Sequence, residues 1–365
     1  MRVALVYDRV TKWGGAERVL LALHSIWPEA PLYTVVYDKA KAPWARVFDV
    51  RPSWLQHVPF AMAHHEWFAW ATPLAFESFN FDAYDVVISV TSAEAKNIIT
   101  KPETLHICYC LTPTRYLWSG YETYAAGSRP LQILAPILRR WDRIAGSRPD
   151  YYLAISNRVK ERIKKYYGRE VEQVIYPPVD IEKFSIFNFQ FSKKKDNDYF
   201  LVVSRLVQYK RIDIIVEAFN ALGWKLVIIG DGTERQKLQR MAQPNIQFIT
   251  RHLTDAELVG YYQSCRAFVV AADEDFGIAA VEAQAAGVPV IAFRASGIAE
   301  IVRHGSTGIL YDMQTSGALA SALEKFAEMR ISSQTCRDNA ERFSQVKFIN
   351  HIKETVEMLY KKNTI

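Results

Sequence analysis

Residues 268–293 read FVVAADEDFGIAAVEAQAAGVPVIAF, which is an apolar run, a small-residue segment and a second apolar run. The first run, Phe268–Ala271, is apolar on both faces, as buried parallel strands are. A helix-like segment of small residues follows Gly277, and Val288–Phe293 forms the next apolar run. A strand, a helix and a second strand in this order form the βαβ unit of parallel sheets, so the stretch predicts an α/β fold.

The same alternation extends through the whole chain of 365 residues. Apolar runs of this kind predict twelve strands: Val3–Tyr7, Leu32–Tyr37, Val86–Val90, Leu105–Cys110, Tyr152–Ile155, Val174–Tyr176, Tyr199–Val203, Lys225–Ile229, Ile246–Ile249, Ala267–Ala271, Val288–Phe293 and Gly308–Tyr311. The series occurs twice, with a break at Pro177-Pro178. We therefore predict two Rossmann-like domains with doubly wound parallel sheets, residues 1–180 and 181–340, and a C-terminal helix, 341–365, that returns to the first domain.

The composition is that of a packed protein, with 50% hydrophobic and 23% charged residues, which excludes a disordered or fibrous chain. The net charge of +6 comes from basic residues spread along the chain, so nucleic acid is not the expected partner. Four cysteines without a CxxC pair indicate neither a disulfide framework nor a zinc site. No apolar run reaches the ~18 residues of a transmembrane helix. We therefore expect a cytoplasmic protein, with any membrane contact peripheral.

Two glutamates mark the strongest candidate site. Glu274 falls in the loop after a predicted strand and Glu282 lies about one and a half turns into the next helix, so both can line one pocket. The amides near Phe276 and Gly277 begin that helix and suit an anion or a hydroxyl group. An exposed Glu282 is the plain alternative, although its neighbours are small and apolar, which favours a buried partner. Asp273 and Asp275 could also form a metal-binding Asp-x-Asp pair, but no histidine or third carboxylate lies at a useful spacing, so we expect no metal.

Two cations follow the first strand of the second domain. Arg205 and Lys210 flank a loop at the carboxyl edge of the predicted sheet, where ligands bind in open α/β sheets. Their charges suit a diphosphate, and a solvated surface pair is the alternative. The turn Gly230-Asp231-Gly232 follows the next strand at the same edge, and a tight turn explains its glycines without a ligand.

The first domain offers two weaker candidates. Gly14 and Gly15 lie between the first strand and the first helix, where backbone amides can approach an anion, although a plain βα turn is an equally good explanation. Residues 112–116 follow the strand Leu105–Cys110 and therefore lie at the carboxyl edge, facing the cleft between the domains.

Two segments are compatible with a surface role. Residues 139–169 hold ten basic and three acidic side chains, which predicts either a solvated helix face or contact with anionic lipid headgroups. Residues 54–81 are rich in aromatic side chains and predict a partly exposed amphipathic segment that grips an acceptor or lipid, and its histidines leave a metal site open.

Taken together, the motifs resemble those of the GT4 family of retaining glycosyltransferases, whose GT-B fold has two Rossmann-like domains facing across a cleft. The resemblance covers nearly the whole chain and rests on the order and spacing of Gly14-Gly15-Ala16-Glu17, Ser204-Arg205-Leu206 with Lys210, Gly230-Asp231-Gly232, and Glu274-Asp275-Phe276-Gly277 with Glu282. Three further stretches look like bacterial mannosyltransferases of surface-polysaccharide synthesis: Thr112–Trp118, Lys210–Asp213 and Val281–Ala285.

The resemblance implies a role for each matching residue. Arg205 and Lys210 would hold the donor diphosphate, Glu274 the donor sugar and Glu282 the ribose hydroxyls, and the catalytic residues would be Arg205, Lys210 and Glu274. The donor-binding set would be Gly14, Gly15, Arg205, Lys210, Gly230, Asp231, Arg251, His252, Leu253, Glu274, Asp275, Phe276, Gly277, Ile278 and Glu282. The acceptor-side set would be Thr112, Arg115 and Tyr116.

The implied activity is the transfer of a sugar, best matched by mannose from GDP-mannose, to a glycan or polyprenyl-linked acceptor with retention and without a metal or cofactor. The implied location is the cytoplasm, at the inner face of the cell membrane. Many family members carry a histidine just before the Thr-Pro dipeptide, whereas this chain has Leu111, which puts the role of that histidine in doubt. A sugar-nucleotide epimerase of the same fold and a non-catalytic nucleotide-sugar-binding protein remain open alternatives.

Overall fold

The computed structural model describes residues 1–186 and 198–364. The chain divides into two compact units, Met1–Pro178 with Val346–Ile365, and Val179–Gln345. Each unit is built on one sheet whose paired strands are parallel, flanked by helices. The predicted α/β class with two doubly wound parallel sheets is therefore confirmed.

The first unit contains seven strands. Five of its α-helices lie within residues 1–178, and the C-terminal helix described below is the sixth. The strands are β1 Val3–Tyr7, β2 Leu32–Thr34, β3 Val50–Pro52, β4 Val86–Thr91, β5 Leu105–Cys110, β6 Tyr151–Ala154 and β7 Gln173–Val174. The helices are α1 Gly15–Ile26, α2 Thr72–Glu77, α3 Tyr121–Ala125, α4 Arg129–Gly146 and α5 Asn157–Tyr167. The strand order is β3-β2-β1-β4-β5-β6-β7, so the direction of winding reverses between β1 and β4.

The described residues of the second unit, 179–186 and 198–345, repeat this plan with six strands. The strands are β8 Tyr199–Val203, β9 Lys225–Ile229, β10 Ile246–Ile249, β11 Ala267–Val270, β12 Val290–Phe293 and β13 Gly308–Tyr311. The helices are α6 Glu182–Ile186, α7 Ile212–Leu222, α8 Arg235–Met241, α9 Asp255–Ser264, α10 Ile278–Ala285, α11 Ser316–Ala327 and α12 Ser333–Ala340. The strand order is β10-β9-β8-β11-β12-β13, which places the reversal between β8 and β11.

The strands form where the sequence is apolar on both faces, because helices cover both sides of each sheet. β1, β4 and β5 are buried along their whole length, and α7 packs Ile215 and Phe219 into the core of the second unit. All twelve predicted strands occur, several of them shorter than predicted. The prediction missed β3, a three-residue edge strand whose Arg51 and Pro52 break the apolar pattern.

The last helix, α13, spans Gln345–Thr364. Its buried side chains include Phe348, whose ring lies 5.7 Å from that of Tyr109 on β5. Thr355 donates a hydrogen bond to Gln173 on β7 at 2.7 Å. These contacts fix the helix to the first unit. Within the described parts of the chain, no helix combines the length and apolar character needed to cross a bilayer.

Candidate active site

The reversal of strand order in the second unit gathers two loops at one edge of its sheet. The loop after β8 carries Arg205 and Lys210, and the loop after β11 carries Glu274. β8 and β11 are paired in parallel, so both loops leave the sheet at the same carboxyl edge. This edge, at a point where the winding reverses, is the common ligand-binding position of open α/β sheets.

Lys210 and Glu274 form an ion pair between these two loops. The Lys210 Nζ donates to the Glu274 Oε1, although the residues are 64 positions apart in sequence. Both side chains keep about a sixth of their surface exposed, 16% and 17%. The structure therefore brings a sequence-predicted cation and a sequence-predicted acid together and leaves both accessible to a ligand.

Tyr209 joins Arg205 to the same group. The Arg205 guanidinium donates to the Tyr209 hydroxyl at 2.6 Å, and the Lys210 ammonium lies 5.3 Å from the centre of the Tyr209 ring. Arg205 itself is exposed. Two cations and one carboxylate, linked through a tyrosine, thus occupy the carboxyl edge of β8 and β11.

The Gly230-Asp231-Gly232 turn lies against the loop that carries Arg205. A Cβ on Gly230, where φ is +145°, would come within 1.9 Å of the Ser204 carbonyl oxygen, and the Leu206 amide donates to the Asp231 carbonyl at 2.9 Å. This close approach accounts for the glycines without a ligand. The Asp231 carboxylate is exposed and pairs with Arg235 at 3.2 Å.

The loop around Glu274 is held from behind by a second loop. The Gly297 amide donates to the Glu274 carbonyl at 2.7 Å. Gly277 is the N-cap residue of α10, with φ of +107°, and a Cβ there would lie 2.6 Å from Ile298, so only glycine fits this turn. Phe276 is buried, with its ring 5.5 Å from that of Phe343. These contacts fix the Glu274 backbone while its side chain faces Lys210.

Residues Asp275 and Ile278 complete the predicted loop. Asp275 is buried, and Ile278, the first residue of α10, is half-buried. Within residues 1–186 and 198–364, no group of three or more histidine, cysteine, aspartate or glutamate side chains has a geometry that could hold a metal ion.

Glu282 is buried inside the second unit, with only 6% of its side chain exposed. Its Oε1 accepts from the Lys183 ammonium at 3.1 Å, and its Oε2 accepts from the Tyr262 hydroxyl at 3.2 Å. The exposed-glutamate alternative is therefore wrong. The apolar neighbours in the sequence correctly indicated a buried partner, but nothing in the sequence identified Lys183 and Tyr262 as that partner.

The segment Arg251, His252 and Leu253 follows β10, the edge strand, two strands away from β8. Arg251 donates to Glu257 at 2.6 Å, and Glu257 also completes a capping box with Thr254 at the start of α9. The hydrogen bond from Arg251 and the amide of Thr254 lower the pKa of Glu257 to about 2. The local contacts of Arg251 thus stabilise the helix end.

The predicted residues of the first unit lie at the carboxyl edge of its own sheet. Gly14 precedes α1 and Gly15 is its first residue, directly after β1. The first turn of this helix carries Glu17, which is buried and accepts from the Tyr7 hydroxyl at 2.8 Å. The amide end of α1 thus lies near the edge where β1 ends, and the Glu17 carboxylate is beside it, 3.1 Å from the position that a Cβ on Gly14 would take.

Thr112, Arg115 and Tyr116 follow β5 at the same edge. Thr112 is buried, whereas the other two are partly exposed. The Tyr116 hydroxyl donates to Glu94 at 2.5 Å, and Glu94 also pairs with Arg9 at 2.8 Å. Burial and the neighbouring Glu94 carboxylate raise the pKa of Tyr116 well above its ordinary value.

Two parallel sheets of this kind in one chain are the architecture of the GT-B fold. HepE from Anabaena, solved in complex with UDP-glucose, superposes with a TM-score of 0.71 over 98% of this chain and 100% of that chain at 18% identity. Residues 184–343 match the family model described as glycosyl transferases group 1.

Curated relatives support the same resemblance. The capsular polysaccharide biosynthesis glycosyltransferase CapM of Staphylococcus aureus is 28% identical over 200 residues, which cover 50% of this chain and 52% of CapM. A GDP-mannose-dependent alpha-(1-6)-phosphatidylinositol monomannoside mannosyltransferase of Mycolicibacterium smegmatis is 28% identical over 215 residues, covering 52% of this chain and 56% of that protein. The matches span about half the length of these relatives. The predicted resemblance to GT-B glycosyltransferases is thus confirmed.

Proposed function

We propose that this protein is a retaining, metal-independent glycosyltransferase that transfers a hexose from a nucleotide diphosphate sugar to a glycan or lipid-linked acceptor. The observation that carries the proposal is the pairing of Lys210 with Glu274 where the strand order reverses, with Arg205 linked to it through Tyr209. A diphosphate needs closely spaced cations and a sugar needs an acceptor of hydroxyl hydrogen bonds, and this edge supplies both.

The donor is proposed to lie across the carboxyl edge of the second sheet. Arg205 and Lys210 hold its diphosphate, and Lys210 exchanges the Glu274 carboxylate for phosphate oxygens. Glu274 then accepts hydrogen bonds from sugar hydroxyls, beside the amides that begin α10. Glu282, held at both oxygens by Lys183 and Tyr262, retains lone pairs for the ribose hydroxyls. The turn at Asp231 and the segment from Arg251 to Leu253 would face the base.

The proposed chemistry breaks the bond between the anomeric carbon and the phosphate oxygen. Positive charge develops on the sugar and negative charge on the leaving diphosphate. Arg205 and Lys210 stabilise that negative charge, and one such donor contributes about 2.7–4 kcal/mol in a dry site. The acceptor hydroxyl attacks from the same face and its proton passes to the leaving phosphate oxygen. The products are a glycoside of retained configuration and a nucleoside diphosphate.

The acceptor is proposed to bind the carboxyl edge of the first unit, where Thr112, Arg115 and Tyr116 follow β5. Gly14 and Gly15, whose motif resembles that of the family, are proposed as further ligands of the donor phosphates. Mannose from GDP-mannose is the proposed donor because one relative is named for that dependence. A capsule-synthesis relative supports a surface polysaccharide acceptor, assembled at the cytoplasmic face of the membrane.

Ligand-induced stabilisation tests the donor. Thermal unfolding is measured with GDP, UDP and ADP, since a ligand that binds only the native state raises the melting temperature. We expect the largest rise with GDP and its loss in Arg205→Ala. The matched control Arg240→Ala, on an exposed face of α8, should keep the rise. A larger rise with UDP would overturn the choice of base, and no rise with any of the three would overturn the donor site.

Turnover separates the three candidate functions. The protein is incubated with a panel of sugar nucleotides, with and without lipid-linked glycan acceptors. Release of nucleoside diphosphate together with a new glycoside supports transfer. Conversion of the donor sugar to its epimer without an acceptor identifies an epimerase, and binding without either product identifies a non-catalytic protein.

A further inference from the structure

Helix α4, Arg129–Gly146, turns bulky apolar side chains outward. The residues concerned are Ile133, Leu134, Ile137, Trp141 and Ile144, each with between 37% and 75% of its surface exposed. At ~100° per residue they fall within about 100° of the helix circumference and form one stripe, here called the α4 stripe. Exposed apolar side chains that form one contiguous stripe mark an interaction surface.

The opposite face of α4 is fixed to the first unit by a buried polar hub. Asp142 Oδ1 accepts from the Lys96 ammonium at 2.6 Å and from the Thr114 hydroxyl at 2.7 Å. Asp142 Oδ2 accepts from the Trp118 indole at 2.6 Å and from the Tyr167 hydroxyl at 2.9 Å. Rotating the helix to bury the α4 stripe would break all four hydrogen bonds to Asp142. These bonds therefore hold the stripe on the outward face.

Arginines border the α4 stripe along one side. Arg129, Arg140 and Arg143 are exposed and fall within about 60° of the circumference, directly beside the stripe. Arg143 also lies over the Trp118 ring at 5.1 Å, which holds it on this side. α4 contains four arginines and a single acid, the buried Asp142. The outward face therefore carries apolar groups and positive charge and no acidic side chain.

The neighbouring helix adds to this charge. α5 packs beside α4 through Tyr167, and the ring of its Tyr166 stacks on Trp118 at 4.9 Å. Its outward positions include three exposed lysines: Lys160, Lys164 and Lys165. Lys164 pairs with Glu170 at 2.8 Å, and the remaining charge of the helix is predominantly positive.

The geometry points to α4 as a helix that lies in the surface of an anionic lipid bilayer, with the α4 stripe among the acyl chains and the arginine row at the headgroups. Helices that lie in a membrane interface have this arrangement of an apolar face beside a basic one. A second copy of the chain is a poor occupant, because its own arginine row would repel this one. The inference does not depend on the proposed transferase activity.

Vesicle binding tests the inference with the whole protein. Co-sedimentation is measured with phosphatidylcholine vesicles with and without phosphatidylglycerol. We expect binding only to the anionic vesicles, weakened more than about tenfold in Ile133→Ser/Ile137→Ser and in Arg129→Glu/Arg140→Glu. Because all four positions are exposed, the melting temperature should stay within a few degrees of the parent.

Matched controls make the result specific to α4. Met313→Ser/Met358→Ser removes apolar groups of similar exposure, 66% and 49%, and should bind as the parent does. Lys225→Glu/Lys237→Glu reverses two exposed charges of the second unit and should reduce binding less than the arginine variant. Equal losses in the controls would overturn the inference.

A polarity-sensitive dye reports the depth of insertion. The four native cysteines are buried, so Ile137→Cys offers an exposed thiol for labelling. We expect a blue shift when anionic vesicles are added. Sedimentation without a blue shift would overturn the inference, as would loss of binding in Trp67→Ser/Trp70→Ser with none in the α4 variants. Self-association that the α4 variants abolish, without vesicle binding by the parent, would assign the surface to a second copy.

Discussion

Two lysine–carboxylate pairs in this protein differ in what surrounds them. In the first unit, Lys96 and Asp142 are almost fully buried, with 1% and 4% of their side chains exposed. In the second unit, Lys210 and Glu274 keep 16% and 17% exposed at the carboxyl edge of the sheet. The first pair is enclosed by hydrogen-bonding side chains, whereas the second lies where a ligand can reach both charges.

The difference separates an enclosed, structural ion pair from one that solvent or a ligand can reach. Burial alone would lower the pKa of the Lys96 ammonium, but the charge of Asp142 raises it above its ordinary value, so this lysine stays charged inside the protein. The charge of Lys96 therefore serves to stabilise the folded first unit through its pair with Asp142. Lys210, in contrast, can exchange Glu274 for another anion without exposing a buried charge. The predictions below test this distinction, beginning with the largest expected effect.

Lys96→Met should reduce the free energy of unfolding of the first unit by about 3–5 kcal/mol, because it leaves the Asp142 carboxylate buried without its counter-charge. Urea unfolding followed by tryptophan fluorescence measures this. Eight of the nine tryptophans lie within residues 1–178, so the signal reports the first unit.

The control for this substitution is Lys225→Met, which removes an exposed lysine paired with Asp198 and should change the free energy by less than about 1 kcal/mol. Lys96→Met/Asp142→Leu should recover part of the loss, because it also removes the unpaired charge. Equal stability of Lys96→Met and the parent would show that the buried pair is not a structural requirement.

Lys210→Ala should reduce transfer about 10²- to 10³-fold, equivalent to about 2.7–4 kcal/mol of transition-state stabilisation, while the fold persists. The release of nucleoside diphosphate measures the rate. The stability of the second unit should change by about 1 kcal/mol or less, since Lys210 and Glu274 are both partly exposed.

Lys237→Ala provides the comparison within the same unit, because its exposed pair with Glu234 lies on α8 and the segment before it. We expect its activity to equal that of the parent. Near-normal transfer by Lys210→Ala would place the diphosphate elsewhere and remove the distinction between the two pairs.

His106 makes the stability of the first unit depend on pH. Burial, and then the charge of Arg148, lower the pKa of His106 to about 3 in the folded protein. The unfolded chain binds a proton near its ordinary pKa of about 6.5, so stability falls as the pH drops from about 6.5 toward 3. At pH 5 this loss amounts to about 2 kcal/mol.

His106→Gln tests this pH dependence, because a glutamine can still bond to Ser89, which lies 2.8 Å from the His106 Nε2, but does not titrate. The free energy of unfolding is measured between pH 7 and pH 5 for the parent and the variant. The variant should lose about 2 kcal/mol less over this range. The same slope in both proteins would contradict the assignment to His106.

The sequence predicted the fold well because parallel strands covered on both faces are apolar runs, and the two halves repeat one order of elements. It missed β3 because Arg51 and Pro52 interrupt the pattern at the edge of the sheet. The basic composition of residues 139–169 predicted a solvated or lipid-binding helix face, but it indicated no apolar stripe and not which side chains would be buried. Only the structure shows that Asp142 points inward and Ile137 outward.

The parts of the candidate site that lie close together in the sequence were predictable from local sequence patterns. The glycine-containing loop and the acids at the end of β11 predicted a site near Glu274, and the apolar neighbours of Glu282 predicted a buried partner. The partners themselves were not predictable, because Lys183 lies 99 positions from Glu282 and belongs to a segment with no motif of its own. Such residues become neighbours only when the chain folds, so their spacing in the sequence does not identify them as a pair.

The smallest expected effect tests whether Glu282 belongs with the accessible pair or with the buried one. Tyr262→Phe removes one hydrogen bond to Glu282 while keeping the buried ring, a change of about 0.5–1.5 kcal/mol. If Glu282 holds the ribose, the dissociation constant of the nucleoside diphosphate should rise about two- to tenfold by calorimetry. Inorganic pyrophosphate, which has no ribose, should bind unchanged, whereas Lys210→Ala should weaken both ligands. Unchanged nucleoside diphosphate binding in Tyr262→Phe, accompanied by lower stability alone, would make Glu282 a structural carboxylate like Asp142, since its partners would then serve only the fold.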